Sequence, residues 1–497
     1  MAKRCSGILL HPTSFPGGSG IGDLGQAAYE FVDFLAAAGQ KLWQVLPLGP
    51  TANSPYNSYS AIAGNPLLID LYRFVDRGLL TEEEAQLGFP SESVDFERVV
   101  PHKNQRLRTA FQRFHTSENS ELQRLFTEFC EAEASWLDDY ALFAALLAQY
   151  RGALWTEWPA EIARREPAAI AAARVELAEE VLYHQFLQFE FFDQWQRLRR
   201  HANAQGIQII GDIPIYVSHN SVDVWAHPKN FQIDPETLAV AQMAGVPPDF
   251  FSATGQLWGN PVYNWEYLAA TGFAWWVNRF RFLLRFVDWV RIDHFRGFAA
   301  YWQVPAGELT AINGKWVTAP GAEFFEVLRR ELGDVPILAE DLGLITPDVE
   351  ELRDRFDFPG MLVLLFAFGG DRQNPYLPHN HRQRAVVYTG THDNDTTVGW
   401  WLRAPQSERE FLIEYLGLTD HRPHAENIHW RLIQQAMASV AEMAIFPLQD
   451  VLGLDNSARM NRPGFATNNW DWRYSSKEPL QAVRDRLRRL TELYGRT

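Results

Sequence analysis

Four carboxylates close short apolar runs: Asp212 in "IQIIGDI" (207–213), Asp293 in "VDWVRID" (287–293), Glu340 in "PILAED" (336–341) and Asp393 in "AVVYTGTHD" (385–393). Arg291 lies two places before Asp293 and shares its face if the run is a strand, because side chains alternate along a strand. His392 adjoins Asp393. One acid in such a place is more often a helix cap or a salt-bridge partner. Four together, with fewer bases than acids, are another matter, since buried charge is costly unless paired and an excess of carboxylates marks a reaction site. Two chemistries use such a group. Metal-dependent hydrolases hold cations with it, and glycosidases use one carboxylate as nucleophile or base and another as acid. A metal centre asks for histidines at ligand spacing, and the first run offers only His11 before Pro12. "THDND" (391–395) alone is a weak cation motif.

The carrying elements follow from the rest of the chain. Four further runs, "GILLH" (7–11), "LWQVLPL" (42–48), "MLVLLFAF" (361–368) and "AIFPLQDVL" (444–452), bring the total to eight. Several are nearly continuous apolar stretches, as in a parallel sheet covered on both faces. Helical segments alternate with them: "AAYEFVDFLAAAG" ends on a glycine, and "TPDVEELRDRF" opens with a threonine cap and a proline. The expected architecture is α/β, a (β/α)8 TIM barrel over residues 1–497 with reaction chemistry at the strands' carboxyl ends. Residues 75–200 read as a mostly helical insertion. Residues 217–272 read as a loop-rich one bordering the site, since loops that long are usually functional. No C-terminal β domain is expected, because the chain ends in a helical pattern.

Composition narrows the partners. The net charge of −16 argues against nucleic acid or an acidic membrane. Two cysteines, Cys5 and Cys130, build no disulfide framework and suit a reducing cytoplasm. The N-terminal apolar run is too short for a signal peptide, and no stretch approaches the roughly 20 apolar residues that span a bilayer. Eighteen tryptophans suit a large core or a sugar cleft. "GIGDLG" presents Gly20, Gly22 and Gly25 at dinucleotide-motif spacing, but Pro12 and Pro16 separate it from the first run and Asp23 would repel a pyrophosphate. No cofactor or metal is expected.

The segments "GILLHPTSFPGGSGIGDLG", "SPYNSYSAIAGNP", "GDIPIYV", "AGVPPDFFSATGQLWGNP", "VRIDHFRGF", "LAEDLG", "YTGTHDNDTT" and "RMNRPG" occur in order and together resemble the bacterial 4-α-glucanotransferases, or amylomaltases, relatives of the α-amylases. The resemblance spans about residues 7 to 473 and is weakest in the helical insertion. It implies a retaining transfer of α-1,4-glucan segments between maltooligosaccharides or to glucose. Asp293 would be the nucleophile, Glu340 the acid/base, and Asp393 the third acid, with Asp395 its rival by position. Arg291 would keep Asp293 ionised, and His392 would pair with Asp393. Ser54, Tyr56, Asp212 and Asp371 would line the donor side. Asp249, Phe251, Gln256 and Trp258, with Asn461 and Pro463, would bind the acceptor and exclude water. Asp341 would be structural. A retaining mechanism asks for about 5–5.5 Å between Asp293 and Glu340. Two other readings stand beside it: a plain α-1,4-glucan hydrolase with the same carboxylates, and a non-catalytic glucan-binding protein. A monomer or weak oligomer is expected.

Overall fold

The computed structural model describes every residue except 1–3, 52, 53, 87, 91, 249–251, 419–426 and 466. Twelve strands occur among the described residues: β1 (Cys5–Leu9), β2 (Leu42–Gln44), β3 (Gln208–Pro214), β4 (Gln242–Val246), β5 (Gln256–Pro261), β6 (Trp289–Asp293), β7 (Ala300–Pro305), β8 (Lys315–Thr318), β9 (Ile337–Ala339), β10 (Gly360–Val363), β11 (Ala385–Tyr388) and β12 (Met443–Pro447). Eight of them close a barrel in the order β1-β12-β11-β10-β9-β6-β3-β2. Neighbours in it pair parallel throughout, and β1 seals the ring by pairing Cys5 with Met443 through Leu9 with Pro447. Each of the eight apolar runs contributes one barrel strand. In β9, β10, β11 and β12 every residue is buried, which is why they read as apolar runs without alternation. Inside the ring the Tyr388 hydroxyl donates to Gln44 Oε1 at 2.7 Å.

Two helices show what local rules do and do not decide. Helix Gln26–Ala37 stops at Gly39, whose φ of +75° is the left-handed turn that favours glycine. Helix Pro347–Arg355 begins with proline after Thr346, but the Thr346 hydroxyl caps nothing. It goes instead to Asp348 and accepts from Arg296 at 2.9 Å, because a charged partner outcompetes the helix N–H groups. Between β2 and β3 run helices Phe96–His115, Ser120–Gln149 and Ala178–Ala204. The last continues past residue 200 and seats the fully buried Trp195 against Trp43 of β2 at 6.0 Å. The helix Glu478–Leu493 comes after β12, with no strand between them among the described residues.

The stretch expected as loop holds two strands. β4 and β5 pair antiparallel, and β4 also pairs with β7, giving a four-stranded sheet in the order β5-β4-β7-β8. These strands lack an alternating pattern, and β7 comes from beyond β6, so no local signal announces them. "GIGDLG" forms a turn: a side chain on Gly22 would lie 2.0 Å from the Pro12 carbonyl oxygen. The Asp23 carboxylate takes the Gly25 N–H at 3.2 Å, occupying the helix start that a pyrophosphate would need. Fully buried Lys103 stands 3.6 Å from Asp23, and Asp70 packs on Gly25.

Candidate active site

Register puts the acids side by side. Across β3 and β6, Asp212 pairs with Arg291 and Pro214 with Asp293. β6 pairs with β9 up to Ile292 and Ala339. One step further, the Glu340 N–H bonds the Ile292 carbonyl at 3.1 Å and the Phe295 N–H bonds the Glu340 carbonyl at 3.1 Å. Asp212, Arg291, Asp293 and Glu340 therefore rise from three adjacent strands at the carboxyl rim.

Arg291 is the hub. Its guanidinium donates to Asp212 Oδ2 at 2.6 Å and to Asp293 Oδ1 at 3.0 Å. The Arg291 and Asp212 side chains are buried, whereas Asp293 keeps 28% of its side-chain surface open. One cation thus holds two carboxylates, and only the nucleophile candidate faces outward. Burial pushes the Asp212 carboxyl up to about 6 against the pull of Arg291. The Asp212 Oδ2 also accepts the Tyr56 hydroxyl at 2.8 Å, and Oδ1 has no partner among the described residues. Burial raises Tyr56 well above the ordinary phenol range, with Asp212 adding to it, so Tyr56 remains a donor.

Glu340 sits against the turn after β6. His294 adopts φ +54°, and its peptide N–H donates to Glu340 Oε2 at 2.6 Å. Burial raises the Glu340 carboxyl well above its ordinary value. Arg291 and the His294 N–H pull it down, and the charge of Asp293 pushes it up. A carboxyl that holds its proton more tightly than usual, beside a second carboxyl bonded to an arginine, suits the division of labour between acid and nucleophile. Asp341 turns elsewhere: it accepts Arg353 at 2.6 Å, Arg382 at 2.7 Å and the Met361 N–H at 2.7 Å.

The third acid lies beyond β11. Asp393 Oδ2 is 3.3 Å from His392 Nε2, and Asp393 Oδ1 accepts the Asn461 amide at 2.6 Å. Burial would raise Asp393, but His392 and Asn461 hold it at about 2. Asp395 is paired with Arg459, which also binds the Asp393 carbonyl, so Asp393 alone of the two meets His392. The Tyr56 ring stacks on His392 at 5.0 Å and 19°, and Trp470 lies 5.8 Å from His392.

The sequence-derived residues divide accordingly. Tyr56, Asp212, Arg291, Asp293, Glu340, His392, Asp393 and Asn461 form one connected cluster. Ser54 stands behind Tyr56, accepting its N–H at 3.3 Å. Gln256 and Trp258 lie on β5, where the indole donates to Gln256 Oε1 at 3.2 Å and meets the His294 ring edge-on at 4.9 Å and 87°. Asp371 is exposed and accepts the Gln373 N–H at 2.7 Å; no described residue bonds it to the cluster. Pro463 is exposed two places past Asn461. Asp249 and Phe251 lie outside the described residues. Sequence reading missed His294, which acts through its backbone, and Trp470, which is remote in the chain. Among the described residues no three His, Cys, Asp or Glu side chains gather to hold a metal ion.

A closed parallel barrel with carboxylates, an arginine and stacked aromatic rings at its carboxyl rim defines the class: a (β/α)8-barrel enzyme built for glycosidic bonds. The 4-alpha-glucanotransferase family profile matches residues 10–479. The 4-alpha-glucanotransferase of Synechocystis is 55% identical over 500 residues, covering 99% of this chain and 98% of its own. That of Thermus thermophilus is 49% identical over 496 residues and 98% of each chain. The amylomaltase from Streptococcus agalactiae, solved in complex with acarbose, is 38% identical with a TM-score of 0.94, covering 99% of this chain and 100% of its own. The chain belongs to the 4-alpha-glucanotransferase family and is an enzyme of that activity. No helix among the described residues is long and apolar enough to cross a membrane.

Proposed function

We propose that the enzyme moves α-1,4-glucan segments by double displacement at this rim, with Asp293 as nucleophile, Glu340 as acid/base and Asp393 as the third acid. The observation that carries this reading is that Glu340 accepts the N–H of the residue following Asp293, so the two carboxyl groups stand on neighbouring strand ends. In the first step Glu340 gives its proton to the glycosidic oxygen while Asp293 bonds to the anomeric carbon, and the leaving chain departs with that proton. In the second step Glu340 takes a proton from an acceptor hydroxyl, which attacks the anomeric carbon and frees Asp293. Both transition states carry positive charge at the sugar ring, which the Asp393 carboxylate stabilises. Arg291 orients Asp293 through its hydrogen bond, and Tyr56, His392 and Trp470 form a ring-lined donor wall beside Asp212. Trp258 and Gln256 form the acceptor side and exclude water.

The substrates of this reading are α-1,4-glucans and maltooligosaccharides, with ring closure of long chains a further outcome of the same step. The segments 75–200 and 217–272 act as insertions, the second bordering the site. The enzyme works in the cytoplasm as a monomer or weak oligomer and binds no nucleic acid. Incubation with maltotriose and sizing of the products tests the reading. Longer oligosaccharides together with glucose are expected from the native enzyme, and none from well-folded Asp293→Asn or Glu340→Gln. Accumulation of small sugars alone would make it a hydrolase, and no product at all would leave only a binding protein.

A further inference from the structure

His294 stands at a left-handed turn, a conformation that histidine, like Asn and Asp, enters more readily than other side chains. At φ +54° the backbone is still away from the regions most side chains prefer, so its neighbours help to keep it there. Two contacts do so. The ring meets Trp258 edge-on at 4.9 Å on one side, and on the other it lies so close to Gly297 that a Cβ there would come within 3.4 Å of it. The same glycine leaves room for Ile215 and Tyr216, and Tyr216 also reaches Trp258 at 6.2 Å. The turn thereby aims one peptide N–H at Glu340 Oε2.

Building on the assignment of Glu340 as the acid/base, we propose that His294 is a positioning residue through which the acceptor-side tryptophan, Trp258, controls how readily Glu340 gives and takes its proton. The N–H stabilises the ionised carboxylate, the form that Glu340 needs when an acceptor hydroxyl surrenders its proton. It is available only while His294 stays left-handed, and Trp258 on β5 is the wedge that keeps it so. An acceptor sugar seated on Trp258 tightens the wedge. Water cannot press on the indole, so the second step favours transfer. The charged and titratable groups facing Glu340 are Arg291 and Asp293 from β6, Asp341 beside it and Tyr376 from the segment after β10. Those facing His294 are Asp293 and Arg296. Among the described contacts Trp258 meets Gln256, Tyr216 and His294 and none of these charged groups, so the path from Trp258 to Glu340 runs through His294.

The test is the pH dependence of kcat/KM for transfer from maltotriose in four variants whose folding is checked by circular dichroism. Losing an N–H bond to the carboxylate raises its pKa, so the alkaline limb of His294→Ala is expected to move up by about 0.5–1 pH unit. Asn tolerates the left-handed turn, so His294→Asn is expected to move the limb less. Trp258→Ala is expected to move it in the same direction, and the double Ala variant no further than His294→Ala alone. A limb that stays in place in His294→Ala while kcat falls would overturn the proposal, as would shifts that add in the double variant. Glu340→Gln separates this from the parent reading: if it keeps native transfer activity, the acid/base assignment itself is wrong, whereas an inactive Glu340→Gln with unmoved limbs sinks the relay alone.

Discussion

Replacing Arg291 with Met removes the one cation shared by Asp212 and Asp293. Taking one partner from a buried ion pair destabilises by about 3–5 kcal/mol, because a charge is left without compensation. Asp212 has an escape. Its carboxyl sits at about 6 even with Arg291 present, so at pH 7 protonating it requires only about 1.4 kcal/mol. The loss should therefore fall at the lower end, about 3 kcal/mol at pH 8, and shrink to about half that at pH 5, where Asp212 already carries its proton. The sign follows from linkage. The folded value lies above the unfolded one of 3.8, so the native state holds the extra proton between about pH 4 and 6. The contribution of this group to stability is greatest below that window and is lost as pH rises through it. Urea unfolding followed by tryptophan fluorescence at pH 5 and pH 8 measures both losses. Adding Asp212→Asn should recover at least half of the pH 8 loss, since the amide needs no countercharge. Equal losses at the two pH values, with Asp212→Asn simply adding to them, would show that Asp212 does not depend on Arg291 for its charge.

Asn461→Ala removes the 2.6 Å donor to Asp393. A bond to a charged group is worth about 1.5–3 kcal/mol, so kcat for transfer should fall by roughly 10- to 100-fold with the fold intact; an unchanged kcat would free Asp393 from that bond. Asp70 is pushed up to about 7 by burial and by Asp23. Its folded value exceeds the unfolded one, so it makes the protein less stable as pH rises from about 4 to 7. Asp70→Asn keeps the acceptor for the Tyr72 N–H and should raise stability at pH 8 relative to pH 5 by about 1–2 kcal/mol; a parallel pH profile for the two proteins would refute this. Trp258→Ala should raise hydrolysis relative to transfer in product ratios from maltotriose, and an unchanged ratio would remove that residue from water exclusion.

The barrel was legible because its strands are buried on both faces, so hydrophobic runs such as "MLVLLFAF" announce themselves without alternation. The acids were legible because strand ends lie on one rim, which turns position in a run into position in space. The sheet of β4, β5, β7 and β8 was not, since "QMAGV" finds its partner in residues 300–305, far along the chain, and neither segment carries a period-two pattern. His294 was hidden because a peptide N–H is common to every residue but proline, and only its dihedral angle singles it out. Asp393 and Asp395 are equivalent by spacing, and Arg459, which separates them, arrives more than sixty residues later. Asp371 came from the resemblance alone, and its carboxylate accepts the Gln373 N–H.

The seam between β1 and β12 sets a clock. Cys5 meets Met443 across it, so their partnership spans 443 − 5 = 438 residues. At about 5–20 residues per second the ribosome needs roughly 20 to 90 seconds to deliver that partner. For all that time β1 offers one unpaired edge, the kind of surface on which nascent chains stick to one another. Shielding during synthesis is thus a requirement that the circular architecture itself imposes, independent of the sugar chemistry at its other end.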